Sequence, residues 1–261
     1  MHSSERAYLD LSARPPHIDA VEWALRVELA ACYRVFARLG WTETIYNHIT
    51  LRLPGEPVCF LINPFGLAYH EVTASNLVKI DIAGRIVGRS DWPVNPAGFT
   101  LHSAVHAAVP RAHCVMHVHT TPGMAVACTR EGLRLTSLYA AQLYGRVAYH
   151  DFEGITVHED EKARLVRNMD GRPALILRNH GLLAWGPSVP EAFFIMWTLH
   201  RACEIQVAAG AAGGNLIELP AAIGESTARD TFREDLLPGA GREVFASEVR
   251  RIDAIDTAYR R

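Results

Sequence analysis

Across residues 21–39 apolar side chains recur at the spacing of one helical face, with Asp19 placed to cap the start and Gly40 just past the end. This pattern predicts a long helix. The period then shortens, and 49–53 and 58–62 become β-type runs separated by the turn signal Pro54-Gly55, which predicts a hairpin. Thr73 is placed to cap a short helix through residue 77, and 78–82 and 85–87 flank Ala83-Gly84 as a second hairpin. Helical spacing returns over 99–109 and stops before Pro110. Residues 114–119 and 174–178 read as strands, with a helix over 159–169 between them. A second long helix opens at Ser188, where Glu191 three residues on has the spacing of a capping box and Pro190 sits in the first turn.

That helix ends near residue 209, and the run of small residues over 210–215 marks a flexible break. The reading is therefore a main domain over 1–209 and an extension over 210–261, charged, helical near its end and expected at a subunit interface. Strands joined by hairpins, with long helices before and after, predict an α/β fold with a mixed sheet covered on both faces. No G-x-G-x-x-G follows a strand, so a dinucleotide fold has no support.

Composition narrows the function classes. With 49% hydrophobic and 21% charged residues over 261 positions, the chain can bury a sizeable core. Basic and acidic residues number 26 and 28, and no basic run could track a phosphate backbone, so nucleic acid is not an expected partner. Residues 1–16 carry charges and two prolines where a secretory leader needs an apolar stretch, and no segment approaches ~18 uninterrupted apolar residues. The expectation is a cytoplasmic protein with no membrane partner. Five widely spaced cysteines without a C-x-x-C pair read as small core residues in a reducing compartment.

The chemistry concentrates in histidines. His117 and His119 stand two apart on a predicted strand, so both rings point to one face. His180 follows a β-type run and precedes Gly181, at a strand end where the backbone turns sharply. Three neutral nitrogen donors with an open position are the arrangement of a catalytic zinc site, and they also suit iron or manganese. His150, Asp151 and Glu153 read as a polar turn, and His106 and His113 as ordinary surface or core histidines.

His117-Val-His-Thr120, Asn179-His-Gly-Leu-Leu183 and Ala97-Gly-Phe-Thr-Leu-His102, with Tyr46-Asn-His-Ile-Thr50, Ile62-Asn-Pro-Phe-Gly66 and Ala148-Tyr-His-Asp-Phe-Glu-Gly154, together resemble the class II aldolase/adducin family over residues 20–209. The resemblance implies a three-layer α/β/α domain with a mostly antiparallel central sheet, usually a homotetramer with active sites between subunits. It implies that the three histidines hold one divalent ion, zinc first, that binds a small-molecule substrate's oxygens and stabilises an enediolate. It also places Asn47, Asn63, Gly66 and Gly98 at the substrate. The family's aldolases carry P-S-S-E where this chain has Asn95-Pro-Ala-Gly98, so their proton-moving glutamate is absent. Their phosphate-binding serines and threonine are Pro96, Ala97 and Asn63. A phosphorylated sugar is disfavoured and a bulkier substrate admitted. Tyr139, near where the resemblance implies a proton donor to a neighbour's site, and His102 on the predicted helix are the candidates to move the proton.

The expected function is a metal-dependent lyase acting through an enolate on a non-phosphorylated carbonyl or hydroxy-acid substrate. A non-heme iron oxygenase acting on an arylpyruvate-like or hydroxy-acid substrate at the same histidines is a second reading. A non-enzymatic assembly domain like the adducin head is the third; the resemblance implies that such heads lack the metal histidines, which this chain keeps.

Overall fold

A computed structural model describes residues 13–154, 159–213, 215–233 and 241–261. Most of the charged stretch over residues 1–16 and parts of the predicted tail lie outside these. The first helix, α1 (Ala20–Leu39), begins where Asp19 accepts hydrogen bonds from the Val21 and Glu22 amides at 2.8 and 3.0 Å, and ends at Gly40 with φ 72°. Seven strands follow through the chain: β1 (His48–Arg52), β2 (Cys59–Ile62), β3 (Val78–Asp81), β4 (Cys114–Val118), β5 (Val147–His150), β6 (Ala174–Leu177) and β7 (Gly181–Gly186). They form one sheet in the order β3-β2-β1-β4-β7-β6-β5, antiparallel throughout except for the β5–β6 pair. The remaining α-helices among the described residues are α2 (Pro96–Ala108), α3 (Thr121–Ala127), α4 (Leu138–Gln142), α5 (Glu159–Met169), α6 (Val189–Ala211), α7 (Ala221–Thr231) and α8 (Arg242–Asp253).

Period-2 alternation divides the strands between the two faces of the sheet. Ile49 and Leu51 of β1, Met116 and Val118 of β4, and Leu182 and Ala184 of β7 join Trp23, Tyr33 and Phe36 of α1 and Phe193 and Met196 of α6 on one face. Val115 and Leu183 take the other, with Leu101 and Val105 of α2 and Leu165 of α5. The result is the expected α/β fold, a mostly antiparallel sheet between helical layers. By the same alternation His48 and Thr50 of β1 and His117 of β4 fall on the α2 face. The sheet thus delivers polar side chains to one region beneath α2.

Several expectations change. Residues 73–77 form a turn, not a helix: the Asn76 side chain accepts from the Thr73 amide at 2.8 Å and donates to the Glu71 carbonyl at 2.9 Å, diverting the groups a helix would use. The arm at 85–87 pairs with β3 through the isolated bridge Ile80↔Ile86 alone. α2 starts at Pro96, ahead of the apolar spacing, because proline is favoured in a first turn. One face of the tail packs on the chain's own core, with Phe245, Val249 and Ile252 of α8 and Tyr259 buried among α1 and α6 side chains. Four cysteines are buried as expected, while Cys128 is exposed.

Candidate metal centre

β4 and β7 run antiparallel with His117 opposite Leu183 and Val118 opposite Leu182, which brings the end of β4 beside the turn entering β7. Asn179 makes that turn in the left-handed region at φ 56°, a conformation asparagine tolerates. Gly181 must lack a side chain, since a Cβ there would lie 2.5 Å from the Val118 carbonyl oxygen and 3.0 Å from the His119 ring. The close approach places a ligating nitrogen of each of His117, His119 and His180 within 4.8 Å of the others, the one such group of three His, Cys, Asp or Glu side chains among the described residues. Ring centroids are 4.5 to 5.0 Å apart.

The tautomer of His117 follows from its partners. Its Nδ1–H donates to the Leu182 carbonyl at 2.9 Å, so Nε2 carries the lone pair, and that atom lies 2.7 Å from Nε2 of His119. Asn47 braces the second ligand: its Nδ2 donates to the Trp41 carbonyl at 3.1 Å and its Oδ1 accepts from the His119 amide at 3.2 Å. Burial holds the His117 imidazole well below the usual range, lowers that of His119, and lowers that of His180 to about 4. All three rings are neutral at neutral pH. Converging lone pairs on neutral imidazoles fit a divalent ion of the zinc, iron or manganese type.

Around this trio stands a buried group of which the sequence singled out His102 alone. His48 packs 5.1 Å from His117 and 4.3 Å from His102, ring centre to ring centre. Behind it runs a row of fixed polarity. Nδ1–H of His106 donates to the Ala112 carbonyl at 2.7 Å, leaving its Nε2 to accept the Thr50 hydroxyl proton at 2.8 Å. Thr50 Oγ1 then accepts from Nδ1–H of His102 at 2.7 Å, so His102 Nε2 is unprotonated, and it is buried without a partner. Burial pushes His48 and His106 down to about 3 and His102 well below its ordinary value. His106, read as ordinary, is thus an anchor of this row. His48 escaped notice because only the β1–β4 register, which pairs it with His117, joins it to the site.

Gly98, the third residue of α2, lies in its first turn against His48, and the other predicted residues are dispersed. Asn63, buried just past β2, donates its amide to the Tyr33 hydroxyl at 3.1 Å, with its Oδ1 3.0 Å from the same oxygen. Gly66 turns the following loop at φ 104°. Tyr139, on α4, packs edge-on against Trp197 at 5.3 Å with Arg201 over its ring, and none of these contacts is with a site histidine. His150 is a satisfied core histidine: Asn168 donates to Nδ1 at 2.9 Å and Nε2 faces Glu161 at 3.4 Å. Phe152, half-exposed, presents its ring 5.9 Å from that of His180.

Residues 27–207 match the Class II Aldolase and Adducin N-terminal domain. A Pseudomonas aeruginosa protein, classed by name alone as an aldolase class 2 protein, is 42% identical over 93% of this chain and 94% of its own length. Alpha-adducin of Rattus norvegicus is 51% identical over 75% of this chain, which spans only 27% of the adducin. The L-fuculose 1-phosphate aldolase of Glaciozyma antarctica superposes with a TM-score of 0.82 at 29% identity, covering 95% of this chain and 97% of that one.

Proposed function

The chain belongs to the class II aldolase and adducin family, and from that membership and its three-histidine cluster we propose that it is a metal-dependent lyase acting through an enolate on a non-phosphorylated carbonyl or hydroxy-acid substrate. The observation that carries the proposal is the convergence of His117, His119 and His180 as neutral imidazoles, with the Leu182 carbonyl fixing the tautomer of the first. When bound, a divalent ion, zinc first, supplies a Lewis acid that spreads the negative charge left as the bond breaks. The chain's own work is positioning. Leu182 orients His117, Asn47 steadies the backbone of His119, and Gly181 lets His180 close on both. His102, the candidate on α2, keeps an unprotonated Nε2, but its ring lies behind that of His48 and burial disfavours its protonated form, so its part is to order the row; Tyr139 is the candidate to act at the site of another copy. Against a phosphorylated substrate stand Pro96 and Ala97, which bring no hydroxyl, and Asn63, whose polar groups are engaged by Tyr33.

The identity to alpha-adducin favours a second reading, an assembly domain without catalysis. Metal quantification on anaerobically purified protein, followed by a carbonyl-acid and hydroxy-acid screen of wild type and His119→Ala, separates the readings. Stoichiometric zinc and cleavage lost in His119→Ala is the expected result. Iron with substrate-dependent oxygen uptake would instead mean an oxygenase, and a chain that takes up no divalent ion would leave the assembly reading.

A further inference from the structure

Gly98 is the feature that the lyase reading leaves unexplained. It is the third residue of α2 and has no positive φ, so its backbone needs no glycine. What the position uses is the missing side chain. A Cβ on residue 98 would stand 2.0 Å from Cδ2 and 2.5 Å from Nε2 of His48. The imidazole cannot step aside. His48 is 4% exposed, its ring is held between those of His102 and His117, and its backbone is fixed by pairing with β4. Its Nδ1 is buried without a hydrogen-bond partner, so the ring is not placed there to satisfy a local network.

We propose that His48 is the specificity-determining residue of the three-histidine site, its imidazole taking the space beside His117 that a side chain on residue 98 would need. Positions 48 and 98 are then mutually exclusive: a histidine on β1 requires a glycine on α2. The group bordering the ion's surroundings on the α2 side comes from the strand, and the width of the pocket is set by one flat ring. This role rests on the metal reading, but the exclusion between the two positions does not.

The test uses wild type, Gly98→Ala, His48→Ala, His48→Gln and the double variant His48→Ala/Gly98→Ala. In metal-free protein Gly98→Ala should lower the melting temperature by about 4 °C or more, as overpacking of a closed core does. Adding Gly98→Ala to His48→Ala should cost nothing further, because the space is then open. Equal losses in both backgrounds would overturn the exclusion. The second measurement loads the proteins with cobalt and follows its visible absorption during titration with glycolate and with the bulkier mandelate. His48→Ala should shift the ratio of the two affinities toward mandelate by about tenfold, and His48→Gln should stay near wild type. An unchanged ratio in His48→Ala would overturn the specificity role. A wild type that takes up no cobalt would overturn the metal reading and that role together, with the melting comparison still deciding the exclusion.

Discussion

Thr50 has one hydroxyl proton and two ring neighbours, and it satisfies both by donating to His106 and accepting from His102. Replacing it by valine keeps the β-branched shape but strands a buried ring donor and a buried ring acceptor. Thr50→Val should cost about 1–3 kcal/mol in urea denaturation, with Thr50→Ser closer to wild type. The same burial fixes the pH response. His106 titrates from 6.5 in its ordinary state down to about 3 in the fold, and His48 likewise. The unfolded chain therefore takes up protons that the folded chain refuses. Stability should be complete above about 6.5 and fall as the pH drops from there toward about 3. Metal-free urea denaturation over that window checks the sign, and a constant midpoint would contradict it. At this scale the clustering of the three histidines was legible, because H-x-H on a strand and His-Gly at a strand end are local patterns. His48 was not, since its place depends on which strand lies beside β1.

The elements that were read well are those whose signals are contiguous. α1 and α6 carry both a period and a cap, and β1, β2, β4 and β6 are apolar runs with clear ends. β7 was missed because it opens at the glycine that closes the histidine turn. β5 was missed because it ends in His150, whose polar ring is satisfied from α5 rather than by solvent. The packing of α8 on α1 and α6 was not read, because a charged helix after a glycine-rich break hides its three buried positions. The segment from Trp41 to Asn47 shows how a loop can serve a strand. Asn47 ties the Trp41 carbonyl to the His119 amide, so it holds the end of β4 in register with the ligand turn. Asn47→Ala should leave the fold intact and weaken zinc binding by about tenfold or more, read by calorimetry. Unchanged affinity would show that His119 needs no brace.

For the whole molecule, Leu138 of α4 and Ile223 of α7 are 60% and 47% exposed on helices that pack together, and Ile217 between α6 and α7 is 85% exposed, which leaves apolar surface for an occupant. Among the described residues no helix is long and apolar enough to cross a membrane. The expected occupant is another copy of the chain, in a closed, symmetric homotetramer. Light scattering at micromolar concentration should return four times the chain mass, and Leu138→Arg should lower it; a wild-type monomer would remove Tyr139 from any role across subunits. The sheet carries a different consequence. β4 holds the middle place among seven strands and is paired on both sides, so the amides flanking His117 open to solvent only when the whole sheet opens. Occupation of the histidine site should then slow hydrogen–deuterium exchange along β1, β4 and β7 together, by the factor that binding adds to the global unfolding equilibrium. Slowing confined to the turn around His180 would mean that the ion is held by a piece that moves independently of the sheet.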